Sequence, residues 1–216
     1  PHLAWRALLG LRTSWLSREI AVFGLFAILA AVSAAALSLF PQVLQQERSV
    51  WNFVRAGVLC TGLAGVFCSA MIYHATRRPT WLGLRTGLRF LGTVAWLGFA
   101  ATLFAAALGA AVSDLREAST VLFDLMPTLG RGLIVTAAAK LGYEALLFVN
   151  LLDRQQTPLK RSALLHTREL AGLTMARYAL GLLGGIGLPA VLLCESADAS
   201  PVKWLTTVAA IFVLSL

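Results

Sequence analysis

Apolar and polar positions alternate along this chain on the scale of whole helices. Six apolar runs, at about residues 19–40, 52–73, 88–112, 130–152, 170–194 and from 202 onward, are separated by short polar stretches. A hydrocarbon core about 30 Å thick is spanned by roughly 20 apolar residues in a helix. The first five runs reach that length. Inside a bilayer the backbone must satisfy its own hydrogen bonds, so such runs are helical. The pattern predicts an all-α fold, a polytopic transmembrane helix bundle with six helices in this chain. Pro41 ends the first run. Gly184-Gly185, Gly187 and Pro189 interrupt the fifth, which predicts a packing seam or kink there.

The last run, 202–216, would give about 22 Å of helix, short of a full crossing. The chain also opens inside a polar loop at Pro1. The expectation is a single transmembrane anchor domain over residues 1–216, truncated at both ends.

Composition agrees with the pattern. The chain is 58% hydrophobic and 13% charged, against about 45–50% and 25% in soluble domains. The net charge of +8 sits in the loops between runs, so it argues for a lipid bilayer as partner and against nucleic acid. Arg6, Arg12 and Arg18 precede the first run. Arg77, Arg78, Arg85 and Arg89 lie about the link between the second and third, and Arg154, Lys160, Arg161 and Arg168 between the fourth and fifth. The other three links are neutral or mildly acidic. By the positive-inside rule, the basic ends, including that of Glu19, face the cytoplasm. A basic surface can equally dock an acidic partner.

Few residues could carry chemistry. Glu19 stands where a polar loop meets the first apolar run. One reading is a carboxylate that favours the positive helix end and pairs with Arg18 or Arg12. The other is a proton acceptor for a quinol bound between helix ends. Lys140 and Glu144 lie four apart in the fourth run and share a helix face. Charges at that depth are expensive and usually paired. They read as a structural ion pair or as part of a proton or quinone path, with Tyr143 and Asn150 on the same helix. Arg55 and Arg177 can snorkel to an interface, and Arg177 can instead turn inward to the fourth helix.

The histidines, His2, His74 and His166, fall in or beside basic loops, so haem held by this chain is not expected. Cys60, Cys68 and Cys194 form no CxxC and no set of four, so no iron–sulfur cluster and no metal site is expected either. They read as small apolar residues. Phosphate-loop, dinucleotide-binding, nucleophile-elbow and zinc-protease motifs are lacking.

Three stretches carry a resemblance. Leu8–Phe26, around Thr13-Ser14-Trp15-Leu16-Ser17-Arg18-Glu19-Ile20, resembles the loop and third helix of the membrane-anchor (C) subunits of dimethyl sulfoxide reductase-type complexes. Cys68-Ser69-Ala70-Met71-Ile72-Tyr73 with Arg78-Pro79-Thr80-Trp81 resembles the end of that family's fourth helix and its following loop. Arg168–Leu193 is similar to its late R…G…P helix. The resemblance implies an eight-helix anchor in a bacterial cytoplasmic (inner) membrane, serving anaerobic respiration. It would exchange electrons between membrane quinone or quinol (menaquinone or ubiquinone) and a four-cluster ferredoxin-like iron–sulfur subunit. That subunit would serve a molybdopterin catalytic subunit. The six runs would be helices three to eight.

In the family an acidic residue at the position of Glu19 is implicated in quinol oxidation. So is a histidine in an HLG.P motif whose proline corresponds to Pro1; the histidine itself would precede the chain. On this footing Glu19 accepts the proton. Arg18, Trp15, Trp5 and Ser17 line the quinone site, and Arg6, Arg12, Arg77 and Arg78 dock the iron–sulfur partner. The rivals are a transporter or channel using Lys140–Glu144, and a purely structural anchor.

Overall fold

A computed structural model describes residues 10–39, 48–76, 83–112, 116–194 and 201–215. Among them every regular element is helical. Helix α1 is Trp15–Leu39, α2 Arg48–Ala75, α3 Gly83–Val112 and α4 Arg116–Ala145, which tightens into a 3-10 turn over Leu146–Leu152. A short helix α5, Pro158–Thr167, follows. Then α6, Ala171–Leu182, passes through a π-helical turn, Leu183–Gly187, into α7, Leu188–Cys194. Helix α8 is Pro201–Ser215. Among the described residues five stretches are long and apolar enough to cross a bilayer: Trp15–Leu37, Ser49–Ala75, Gly83–Gly109, Asp124–Leu152 and Ala171–Cys194. The bundle expected from the hydrophobic pattern is therefore present, and the chain is an integral membrane protein.

Three local features differ from the sequence expectation. Helix α4 begins at Arg116, ahead of its apolar span, and carries Pro127 within it, because the mixed polar stretch before the apolar run is itself helical. The basic link before the fifth span is not all loop. Thr157 accepts a hydrogen bond from the Lys160 N–H, and Pro158 opens α5. A threonine cap and a proline in the first turn both favour helix initiation. The glycine-rich segment is not a break. The Leu188 N–H reaches the Leu183 carbonyl, one residue farther than in an α-helix. Pro189 has no N–H to offer the preceding turn, and a widened turn absorbs that loss.

The chain forms two compact units, Pro1–Leu88 and Arg89–Leu216. In the first, α1 and α2 pack against each other along their length. Large side chains of one meet glycines of the other. A Cβ on Gly65 would fall 2.6 Å from the Phe23 ring, and one on Gly62 would fall 3.2 Å from Phe26. Small residues at such points let membrane helices approach closely.

In the second unit the core is Trp96, Ala100, Leu103 and Ala107 of α3 with Met126, Leu133, Ala137 and Leu141 of α4, closed by Leu192, Val208 and Ile211. The spacing by threes and fours puts each set on one helix face. The π-helical turn is wedged into this core. Gly184 backs onto Leu214 of α8, and a Cβ on Gly185 would lie 2.5 Å from that of Ala137.

Candidate functional site

Two groups of polar side chains stand inside the spans, one in each unit. The first is built on the start of α1. Gly10 accepts backbone hydrogen bonds from Thr13 (3.0 Å) and Ser14 (2.8 Å), forming a turn that leads into the helix. Helix α1 then begins at Trp15, so Glu19 lies one turn inside it rather than at its mouth. Arg18 turns back. Its Nε donates to the Leu11 carbonyl at 2.8 Å and its terminal nitrogen to the Arg12 carbonyl at 2.9 Å. Its guanidinium also covers the Trp15 ring at 4.4 Å. Arg18 thus holds the preceding turn and does not pair with Glu19.

Glu19 finds its partner across the helix pair. Its Oε1 accepts a hydrogen bond from the Ser69 hydroxyl of α2. Both residues are half-buried, and Ser69 is flanked by buried Cys68 and Ala70. Trp15, one turn before Glu19, meets the edge of Phe67 with centroids 6.1 Å apart. A carboxylate, a hydroxyl, an indole and a phenyl ring therefore gather at this end of the α1–α2 pair. Ser17, two residues from Glu19, is on the other side of α1 and buried beneath the Gly10 turn. Arg12 is exposed, and its carbonyl is one of those held by Arg18. Trp5, Arg6, Arg77 and Arg78 lie outside the described residues. Ser69 was the residue that sequence reasoning passed over. It stood inside a quoted motif, but nothing local linked it to Glu19.

The second group joins α4 to α6. Glu144 Oε1 lies 3.5 Å from Lys140 Nζ and accepts a hydrogen bond of 2.8 Å from Arg177. Arg177 thus turns towards the fourth helix, the inward alternative, while remaining 60% exposed; Lys140 and Glu144 are 10% and 11% exposed. The Lys140 ammonium also sits 4.7 Å from the Trp96 ring centroid. Gly92, one turn from Trp96, leaves room for the lysine stem, 3.5 Å from where a Cβ would be. Every charge here has a partner, as buried ions in a membrane require. Arg55 lies over Trp51, one turn towards the start of α2, at 5.2 Å. Near the basic link, the His166 ring is 3.3 Å from the Thr174 hydroxyl.

Among the described residues, five long apolar helices, two of them joined by a paired group of charges, define a polytopic helical membrane protein. The family model "DMSO reductase anchor subunit (DmsC)" matches residues 1–146, more than half of the 216, and the chain belongs to that family. It is therefore a membrane anchor of a DMSO reductase-type complex, associated with that complex's catalytic and iron–sulfur subunits. No curated protein and no solved structure matches it. The family match contains Glu19, Ser69, Lys140 and Glu144 and stops short of Arg177.

Proposed function

We propose that this anchor oxidises a membrane quinol, menaquinol or ubiquinol, at the Glu19 end of the α1–α2 pair and passes the electrons to the iron–sulfur subunit. The observation that carries the proposal is Glu19 itself. It is a half-buried carboxylate, one turn inside a span, whose partner among the described residues is a hydroxyl and not a cation. An ion pair would occupy the carboxylate, whereas a single donated hydrogen bond leaves acceptor capacity for a substrate proton. When a quinol O–H breaks, its proton passes to Glu19 and the electrons leave for the partner's cluster. Trp15 and Phe67, packed edge to face, offer apolar aromatic surface beside the carboxylate for a quinol ring, and Arg18 lies over the Trp15 ring. The family's description as a reductase supports electron flow from quinol.

The basic face would lie in the cytoplasm of a bacterial inner membrane, with Arg6, Arg12, Arg77 and Arg78 meeting the iron–sulfur subunit. Trp5 and Ser17 would contribute to the quinone site through its wall and its supporting turn. The rival transporter reading loses support, since the glycine-interrupted fifth run, which a broken transporter helix would need, is continuous through a π-helical turn. The test is Glu19→Gln in the assembled complex. Quinol-driven reduction of the terminal acceptor should fall at least tenfold, while an artificial donor that feeds the iron–sulfur and catalytic subunits directly drives the complex at the wild-type rate. Unchanged quinol-driven turnover would remove Glu19 from the mechanism.

A further inference from the structure

We infer that Ser69 is a positioning residue for the Glu19 carboxylate, placed there by a phenylalanine-into-glycine register between α1 and α2. The inference rests on the quinol-oxidising role of Glu19 proposed above. It starts from three pairs that step along the two helices in opposite directions. Phe26 meets Gly62, Phe23 meets Gly65, and Glu19 meets Ser69. Each step is three or four residues on both helices, so the pairs form one seam.

The seam has little freedom to slip. The Phe23 ring occupies the space where a Gly65 side chain would be, 2.6 Å from the ideal Cβ, and Phe26 does the same at Gly62 at 3.2 Å. Sliding either helix by a turn would seat only one ring in a glycine notch and put the other against a larger side chain. The next turn of α2 beyond Gly65 carries Ser69, a small residue with a hydroxyl, and the next turn of α1 carries Glu19. Phenylalanines deep in the span therefore determine which hydroxyl the carboxylate meets.

The Ser69 hydroxyl is itself fixed. Besides its contact with Glu19 Oε1 it approaches the Gly65 carbonyl of its own helix at 3.2 Å. Among the described residues, the other carboxylate oxygen, Oε2, accepts no hydrogen bond. Holding Oε1 on α2 fixes the rotation of the carboxylate and leaves Oε2 to receive the substrate proton. Ser69 neither gains nor loses a proton in this step. It holds an acceptor in one orientation, and orientation of this kind contributes to rate more than to binding.

The test uses the complete complex and a soluble short-chain menaquinol analogue. Ser69→Ala should lower kcat for quinol oxidation about tenfold, which is what one hydrogen bond to a charged group is worth. KM should stay within about twofold, and the artificial-donor rate should not change. Ser69→Thr, which keeps the hydroxyl, should restore kcat to within about threefold. Ser69→Ala added to Glu19→Gln should cause no further loss, because the residue acts through Glu19. Should Ser69→Ala fail to assemble, the isosteric Ser69→Cys, a weak donor, serves in its place.

Wild-type kcat in Ser69→Ala, with Glu19→Gln impaired, would overturn the positioning role and leave the Glu19 reading intact. Full additivity of the two substitutions would also overturn it. Wild-type quinol turnover in Glu19→Gln would overturn both.

Discussion

The Ser69 hydroxyl donates to the Glu19 carboxylate across 50 residues of chain, from the last turns of one membrane helix to the first turns of the one before it. The bond joins two residues that already lay inside the stretches resembling the anchor family. It also shows what Arg18 does. The arginine beside Glu19 is spent on the carbonyls of Leu11 and Arg12, so the carboxylate faces a neutral donor.

The seam beneath that bond should be sensitive to single methyl groups. Gly65→Ala puts a carbon 2.6 Å from the Phe23 ring, and overpacking of this kind costs about 1–3 kcal/mol. The unfolding midpoint in detergent should fall, and Phe23→Leu in the same background should recover part of the loss. Gly24→Ala faces open space and should leave the midpoint within error.

A second glycine should be less forgiving. A Cβ on Gly185 lies 2.5 Å from the Ala137 Cβ and 3.0 Å from Trp96. An alanine carbon is attached to backbone and cannot swing away, so Gly185→Ala requires α4 and the π-helical turn to separate. It should lower stability more than Gly65→Ala does. Gly172→Ala, with open space around it, is the control in the same unit.

Removing the central acid of the charged group should cost more than removing its exposed base. Glu144→Leu strands the 10%-exposed Lys140 without its carboxylate, and breaking a buried pair on one side costs about 3–5 kcal/mol. The double variant Lys140→Met with Glu144→Leu should regain most of this. Arg177 is 60% exposed, so Arg177→Ala should cost about 1 kcal/mol or less. Equilibrium unfolding of the four proteins gives the comparison.

Arg18 should prove to be a fastener of the turn before α1. Arg18→Ala loses two hydrogen bonds to loop carbonyls and its contact with Trp15, each worth about 0.5–1.5 kcal/mol. Amide exchange over residues 10–14 should speed up about tenfold or more. Arg18→Lys should not restore protection, because one ammonium cannot reproduce the forked geometry of a guanidinium.

Much of this was legible in the sequence, and the exceptions share a cause. The spans were readable because a bilayer demands about 20 apolar residues per crossing, a requirement each helix meets alone. The Lys140–Glu144 pair was readable because four residues is one turn. Helix α5 was missed although Thr157-Pro158 is a local start signal, since the basic link was read for charge and not for capping. The fifth span was expected to carry a packing seam or kink at its glycines; Gly184 and Gly185 do seat Leu214, Ala137 and Trp96, and the π-helical widening of that turn is what the sequence did not foretell.

The sequence by itself determined the bilayer, the helices, the depth of the charges and the family to which Glu19 gives a candidate role. Only the tertiary structure decided whom each charge meets. Arg18 went to its own loop, Arg177 to Glu144, and Ser69 to Glu19. Such choices depend on register between helices far apart in the chain. That register is set by rings filling glycine notches, a relation between two surfaces that neither helix carries alone.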